Sequence, residues 1–130
     1  MSERYVLDAS AILALLGREP GELRVRAALR EGECFVSAVN LAEVASRLSL
    51  RGLPASEVRA LSQIPGLSVR SFDEEQGLRV GGLALLAKPF GLSLGDRACL
   101  ALGASIDAIV LTADRVWVGL AAGCVVEAIR

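Results

Sequence analysis

Short apolar, β-prone runs alternate with helical segments along the whole chain, and this alternation constrains the fold more than any other feature. The run from Arg4 to Leu7 reads as a strand that stops at Asp8, and the ASAILALLG that follows reads as a helix ended by Gly17. Pro20 suits a first helical turn, and a loosely apolar helix then continues to Gly32. ECFVS, from Glu33 to Ser37, is a second strand. Beyond Ala38, Leu41, Val44, Ala45 and Leu48 recur at three- and four-residue spacing, which predicts a helix that Gly52 stops. Pro54 opens a further helix to Ile64, Pro65-Gly66 is a turn, and a third strand runs from Leu67 to Ser71. Asp73 starts a helix to Ala87 with Gly81-Gly82 as a weak point inside it, and a loop covers Lys88 to Gly91. Ser93 begins another helix, Ala108 to Thr112 is a strand, Val116 to Ala121 a short helix, and Cys124 to Ile129 a last strand.

Strands that are apolar throughout must be covered on both faces. The expected fold is therefore α/β, a three-layer arrangement with a mostly parallel central sheet and helices on both sides. The length suits a single domain over residues 1–130, and a hydrophobic content of 53% fills its core without staples. No repeat, low-complexity tract or linker interrupts it.

What the chain lacks narrows its chemistry. It has no histidine, which removes Ser-His-Asp and Cys-His catalysis and imidazole-bound zinc. Cys34, Cys99 and Cys124 show no C-x-x-C spacing and each lies in an apolar run, so they read as reduced, buried thiols of a cytoplasmic protein. No window of about 18 uncharged apolar residues predicts a membrane span, and the charged N-terminus does not resemble a signal peptide. The net charge of −1 does not advertise nucleic-acid binding. All the cations except Lys88 are arginines, however, which suits local phosphate contact.

Carboxylates carry what remains. Asp8 follows the first strand, Asp114 closely follows the fourth, Glu43 lies early in the helix after the second, and Asp96 lies in the first turn of the helix opened by Ser93. In an open parallel sheet, ligands bind beyond the carboxyl ends of the strands. Each acid also has a structural reading. Asp8 and Asp114 suit helix N-caps, Ser93 with Asp96 resembles a capping box, and Asn40 with Glu43 matches its spacing. Four carboxylates in one cleft would repel one another and call for a cation. Oxygen-only ligands favour Mg²⁺ or Mn²⁺, and such a site suits phosphodiester hydrolysis.

YVLDASAILALL, SAVNLAEV, LSLGDRACLALG and VLTADRVW, in this order, resemble the four acidic motifs of the PIN-domain ribonucleases, and in particular the VapC-type toxins of toxin–antitoxin pairs. The resemblance covers essentially the whole chain. It implies a PIN fold, Mg²⁺- or Mn²⁺-dependent endoribonuclease activity, neutralisation by a small antitoxin protein, and a homodimer. It also implies that Asp8 and Asp96 are the principal metal ligands, with Glu43 and Asp114 completing the cluster, and that Thr112 and Ser10 order the site. A PIN-fold binding module, or an RNA-processing nuclease without an antitoxin, is the alternative.

The remaining polar residues carry two readings each. Ser37 and Asn40 read as helix caps before they read as supports of the site. Arg97 and Arg115 each follow an acid and suit either phosphate contact or a solvated helix face. Arg47 and Arg51 lie one turn apart and suit a solvated face, an RNA backbone or an antitoxin carboxylate. Asp107 reads as a surface residue at the wrong end of the fourth strand. A phosphoacceptor receiver domain would need an acidic pair after the first strand and a lysine after a late one, and here Ala9-Ser10 and a loop Lys88 stand instead. The aromatic residues are too scattered for a base-stacking platform, so they read as core or interface residues.

Overall fold

The computed structural model describes residues 2–130. Strands β1 (Arg4–Leu7), β2 (Glu33–Ser37), β3 (Leu67–Arg70), β4 (Ile109–Thr112) and β5 (Val126–Ala128) form one sheet in the order β3-β2-β1-β4-β5. Every neighbouring pair is parallel. All the strands therefore point their carboxyl ends to the same edge, in agreement with the mostly parallel sheet expected from the apolar runs.

Helices α1 (Ala9–Gly17), α2 (Glu22–Glu31), α3 (Ala38–Leu50) and α4 (Ala55–Arg59) follow β1 and β2, while α5 (Glu74–Gly82), α6 (Ala84–Ala87) and α7 (Leu94–Ser105) lie between β3 and β4. The pleat divides the core in two. Leu7, Cys34, Val36 and Leu111 pack with Ile12, Val25 and Val44 from α1, α2 and α3. Val6, Val110 and Val126 pack with Leu100 and Leu102 of α7 and with Trp117. Register agrees with this division, because Val6 lies opposite Phe35 and Val110, and Leu7 lies opposite Leu111. Val80 of α5 then packs against Ala98 and Ala101 on α7.

Several boundaries move from their sequence expectations. Helix α2 begins at Glu22 rather than at Pro20, because Gly21 takes φ 97° at its N-cap. The segment after Pro54 relaxes from α4 into a 3₁₀ turn over Ala60–Gln63. The helix after Asp73 breaks at Leu83, next to the glycine pair expected to weaken it. Lys88–Phe90 is a 3₁₀ turn. The helix expected from Val116 to Ala121 is only a 3₁₀ turn, Arg115–Trp117, and the last strand shortens to Val126–Ala128. Gly119 (φ 86°) and Gly123 (φ 88°) turn the chain here in a way a helix or strand cannot follow. Asp107 (φ 53°) lies in the turn before β4, at the opposite edge from the carboxyl ends, as read from sequence.

Edge strand β5 has one partner strand and is also tied by an ion pair. The Arg24 guanidinium of α2 donates to both Glu127 oxygens, at 2.5 and 3.1 Å, and stacks on the Tyr5 ring. The bonds to Glu127, then to the Tyr5 hydroxyl, raise the Arg24 pKa above its ordinary range. Both side chains are about a third exposed, so solvent screens the pair. Arg24→Met is expected to destabilise the fold by about 1 kcal/mol, less in 1 M salt. Paired urea titrations check this, and a midpoint equal to that of the parent at low salt would show that the pair contributes nothing.

Candidate active site

Asp8 leaves β1 and caps α1 in the same step. Its Oδ1 accepts from the Ala11 amide at 2.8 Å and from the Ser10 hydroxyl at 2.7 Å, and its Oδ2 accepts from the Thr112 hydroxyl at 2.6 Å. Ser10 in turn accepts from the Ala113 amide, and Thr112 accepts from the Asp114 amide. Each hydroxyl thus gives its proton to Asp8 while its oxygen braces the chain leaving β4. Asp8 is only 4% exposed. Burial pushes its pKa up from 3.8 to about 6, against the pull of the Thr112, Ser10 and Ala11 bonds, and the charge of Asp96 adds to the rise.

Asp96 and Ser93 form a reciprocal capping box on α7. The Asp96 Oδ2 accepts from the Ser93 amide at 2.9 Å, and the Ser93 hydroxyl accepts from the Asp96 amide at 3.1 Å. Asp114 caps the short turn after β4, accepting from the Val116 amide at 3.0 Å. For these acids the capping and cleft readings hold together.

At α3 the capping expectation needs correcting. Ser37 is the N-cap, accepting from the Val39 amide, so Asn40 lies inside the first turn and makes no capping box with Glu43. The cause is that β2 passes into α3 without a loop, which leaves Ser37 as the last extended residue. Asn40 instead donates to the Glu43 Oε1 at 2.8 Å and to the Gly95 carbonyl at 3.0 Å.

Asp8, Glu43, Asp96 and Asp114 line one cleft of about 220 Å³ together with Ser10, Asn40, Arg47 and Trp117. Each acid is held by its own helix or turn, so the carboxylates stand around the cleft. Among the described residues no three acidic or thiol side chains stand close enough together to hold an ion. Asp96 Oδ1, Asp114 Oδ2 and Glu43 Oε2 make no hydrogen bond to the described residues, while both Asp8 oxygens are bonded. The donor set is all oxygen, three of its carboxylates keep a free oxygen, and its one buried member resists ionisation. The chemistry of this donor set suits a hard divalent cation.

The arginines divide between the cleft and other surfaces. Arg97 bonds the Ser93 and Val80 carbonyls, Arg115 bonds the Arg130 carbonyl, and neither lines the cleft. Arg47 does line it, whereas Arg51 lines a separate apolar groove with Leu13, Leu48 and Leu61. Trp117, 2% exposed, forms part of the cleft wall, and its position three residues after Asp114 is the signal that could have placed it there. Burial raises the pKa of all three cysteines, which disarms them as nucleophiles. No described helix is long and apolar enough to cross a membrane.

Known proteins share this architecture. The chain is similar to the toxin–antitoxin assembly VapBC2 of Rickettsia felis bound to a promoter DNA fragment, at 14% identity and a TM-score of 0.73, over 96% of this chain and 98% of that one. It is similar to DNA-bound VapBC of Salmonella typhimurium at 18% identity and a TM-score of 0.73, over 98% and 99%. It is also similar to VapC20 of Mycobacterium tuberculosis, a toxin that cleaves the sarcin–ricin loop, at 14% identity and a TM-score of 0.70, over 85% and 90%. No curated protein sequence matches the chain. The PIN-domain family model matches residues 5–122, a span that contains all four acids of the cleft. With its parallel sheet, its acids beyond the carboxyl ends and its sequence in agreement, the chain belongs to the PIN-domain family.

Proposed function

We propose that this protein is the toxin of a toxin–antitoxin pair, an endoribonuclease that uses Mg²⁺ or Mn²⁺. The observation that carries this reading is the single cleft lined by Asp8, Glu43, Asp96 and Asp114, with Asp8 clamped between the Ser10 and Thr112 hydroxyls. Asp8, Asp96, Asp114 and Glu43 would hold the ion, directly or through water. A bound divalent ion supplies an activated water and stabilises charge on the phosphoryl group. Ser10 and Thr112 keep Asp8 in one orientation, and Arg47 is placed to meet a phosphate at the cleft. The VapBC complexes among the structural neighbours support a small antitoxin as partner. A cytoplasmic homodimer is part of the same reading.

The test is cleavage of RNA by the purified protein, free of antitoxin. With Mn²⁺ the RNA is expected to be cut, and excess EDTA is expected to slow cutting roughly a thousandfold, the equivalent of about 4 kcal/mol of lost charge stabilisation. Equal rates with and without EDTA would overturn the metal mechanism. Toxicity on expression, relieved by the product of a small neighbouring reading frame, separates a toxin from a processing nuclease or a binding module.

A further inference from the structure

We infer that Asn40 is a positioning residue that sets the Glu43 carboxylate against the first turn of α7, beside Asp96. The inference rests on the metal-site reading above. Asn40 is 1% exposed, and both its amide protons are committed, one to the Glu43 Oε1 at 2.8 Å and one to the Gly95 carbonyl at 3.0 Å. These two acceptors fix which way the amide points, since reversing it would set oxygen against oxygen. One side chain thus spans α3 and α7 and touches the residue next to Asp96.

Gly95 completes the arrangement. A Cβ there would collide with the Glu43 carboxylate, so Glu43 lies flush on the α7 backbone only because position 95 has no side chain. The positive end of α7 also favours a carboxylate at this place. Glu43 is itself exposed, and an exposed glutamate on a helix ordinarily samples several rotamers. Held by Asn40, it samples fewer.

Asn40 serves poorly as a stabilising core residue. Its Oδ1 is buried without a partner among the described residues, a state that costs folding free energy. Its amide protons go instead to a cleft acid and to the backbone beside another. The side chain acts on the site through Glu43.

Mn²⁺ affinity, read from the electron paramagnetic resonance of free Mn²⁺, tests this without any turnover. Asn40→Ala is expected to weaken Mn²⁺ binding about tenfold, the usual scale for a group that orients a ligand. Gly95→Ala is expected to weaken it similarly, because the added Cβ pushes Glu43 aside while Asn40 stays in place. In a Glu43→Gln background, Asn40→Ala is expected to change the affinity less than twofold, since its effect runs through Glu43. An equal tenfold loss in that background, or parental affinity in Asn40→Ala, would overturn the proposal. Should Asn40→Ala fail to fold, Asn40→Leu, which fills the same space without amide donors, is expected to weaken Mn²⁺ binding similarly, and parental affinity in it would overturn the proposal. Asp8→Asn serves as the control. If it binds Mn²⁺ like the parent, the metal reading falls with the proposal; if it binds weakly while Asn40→Ala binds like the parent, only the role of Asn40 falls.

Discussion

Asp8→Asn is expected to abolish RNA cleavage and, in the same protein, to raise its thermal stability at neutral pH. Loss of one ligand oxygen and one charge at the buried centre of the cleft should slow cleavage roughly a thousandfold or more. The stability change follows from the folded-state pKa of Asp8, about 6, against an ordinary 3.8. The folded protein holds this proton more tightly than the unfolded chain does. The contribution of Asp8 to stability is therefore complete below about pH 4 and is lost as pH rises through 6. Above that, the ionised buried carboxylate costs about 3 kcal/mol in the protein without metal. Asparagine carries no charge and removes this cost, but it gives the Thr112 hydroxyl no acceptor at the former Oδ2, which returns about 1 kcal/mol. The net gain of about 2 kcal/mol should raise Tm by roughly 7 °C at pH 7.5 in EDTA, and near pH 4, where Asp8 is protonated, it should turn into a loss of about 1 kcal/mol. Calorimetry at the two pH values checks the sign. An unchanged or lower Tm at pH 7.5 would show that Asp8 is not strained by burial, and full cleavage activity would show that it is not a ligand.

The second large effect lies behind the site. Gly103 of α7 faces the sheet so closely that a Cβ there would stand 2.6 Å from Cγ2 of Val110 on β4 and 3.2 Å from Sγ of Cys124. Val110 is fully buried in the central part of the sheet and cannot move aside. A glycine inside a helix ordinarily loses about 1 kcal/mol to alanine, so helix propensity alone favours alanine or valine here. Overpacking outweighs that term. Gly103→Val is expected to lift α7 from the sheet and to cost about 3 kcal/mol, seen as a Tm lower by roughly 10 °C. Because α7 also carries Asp96, cleavage should fall as well. A Tm equal to or above that of the parent would mean that α7 tolerates the bulk and that its close approach to β4 is not obligatory.

The arginines show how far local reasoning reaches. Arg97 and Arg115 stand next to cleft acids in sequence, yet neighbouring residues on a helix or tight turn point different ways, and both arginines bond backbone carbonyls outside the cleft. Arg47 is one turn from Glu43, so it shares a face with it and lines the cleft. The helical period contained this distinction, though not which face would meet the site. The end of the chain was the least legible part. Val116 to Ala121 and Cys124 to Ile129 have suitable apolar residues, but the left-handed glycines at 119 and 123 and a single partner strand for β5 leave only a 3₁₀ turn and a three-residue strand.

The four carboxylates were named from sequence, as was the parallel α/β frame that brings them to one edge. Both depend on periodicity and on the position of each acid just beyond a strand or within a helix's first turns, which are local properties. Tertiary structure alone decided that Asp8 is the buried member, that Thr112 and Ser10 clamp it, and that Asn40 reaches Glu43 and α7 together. It also decided why positions 95 and 103 are glycine. The deciding contacts join residues 104 apart for Thr112 and Asp8 and 55 apart for Asn40 and Gly95. No local pattern records such pairs, because they form only when separate helices and strands pack on one sheet.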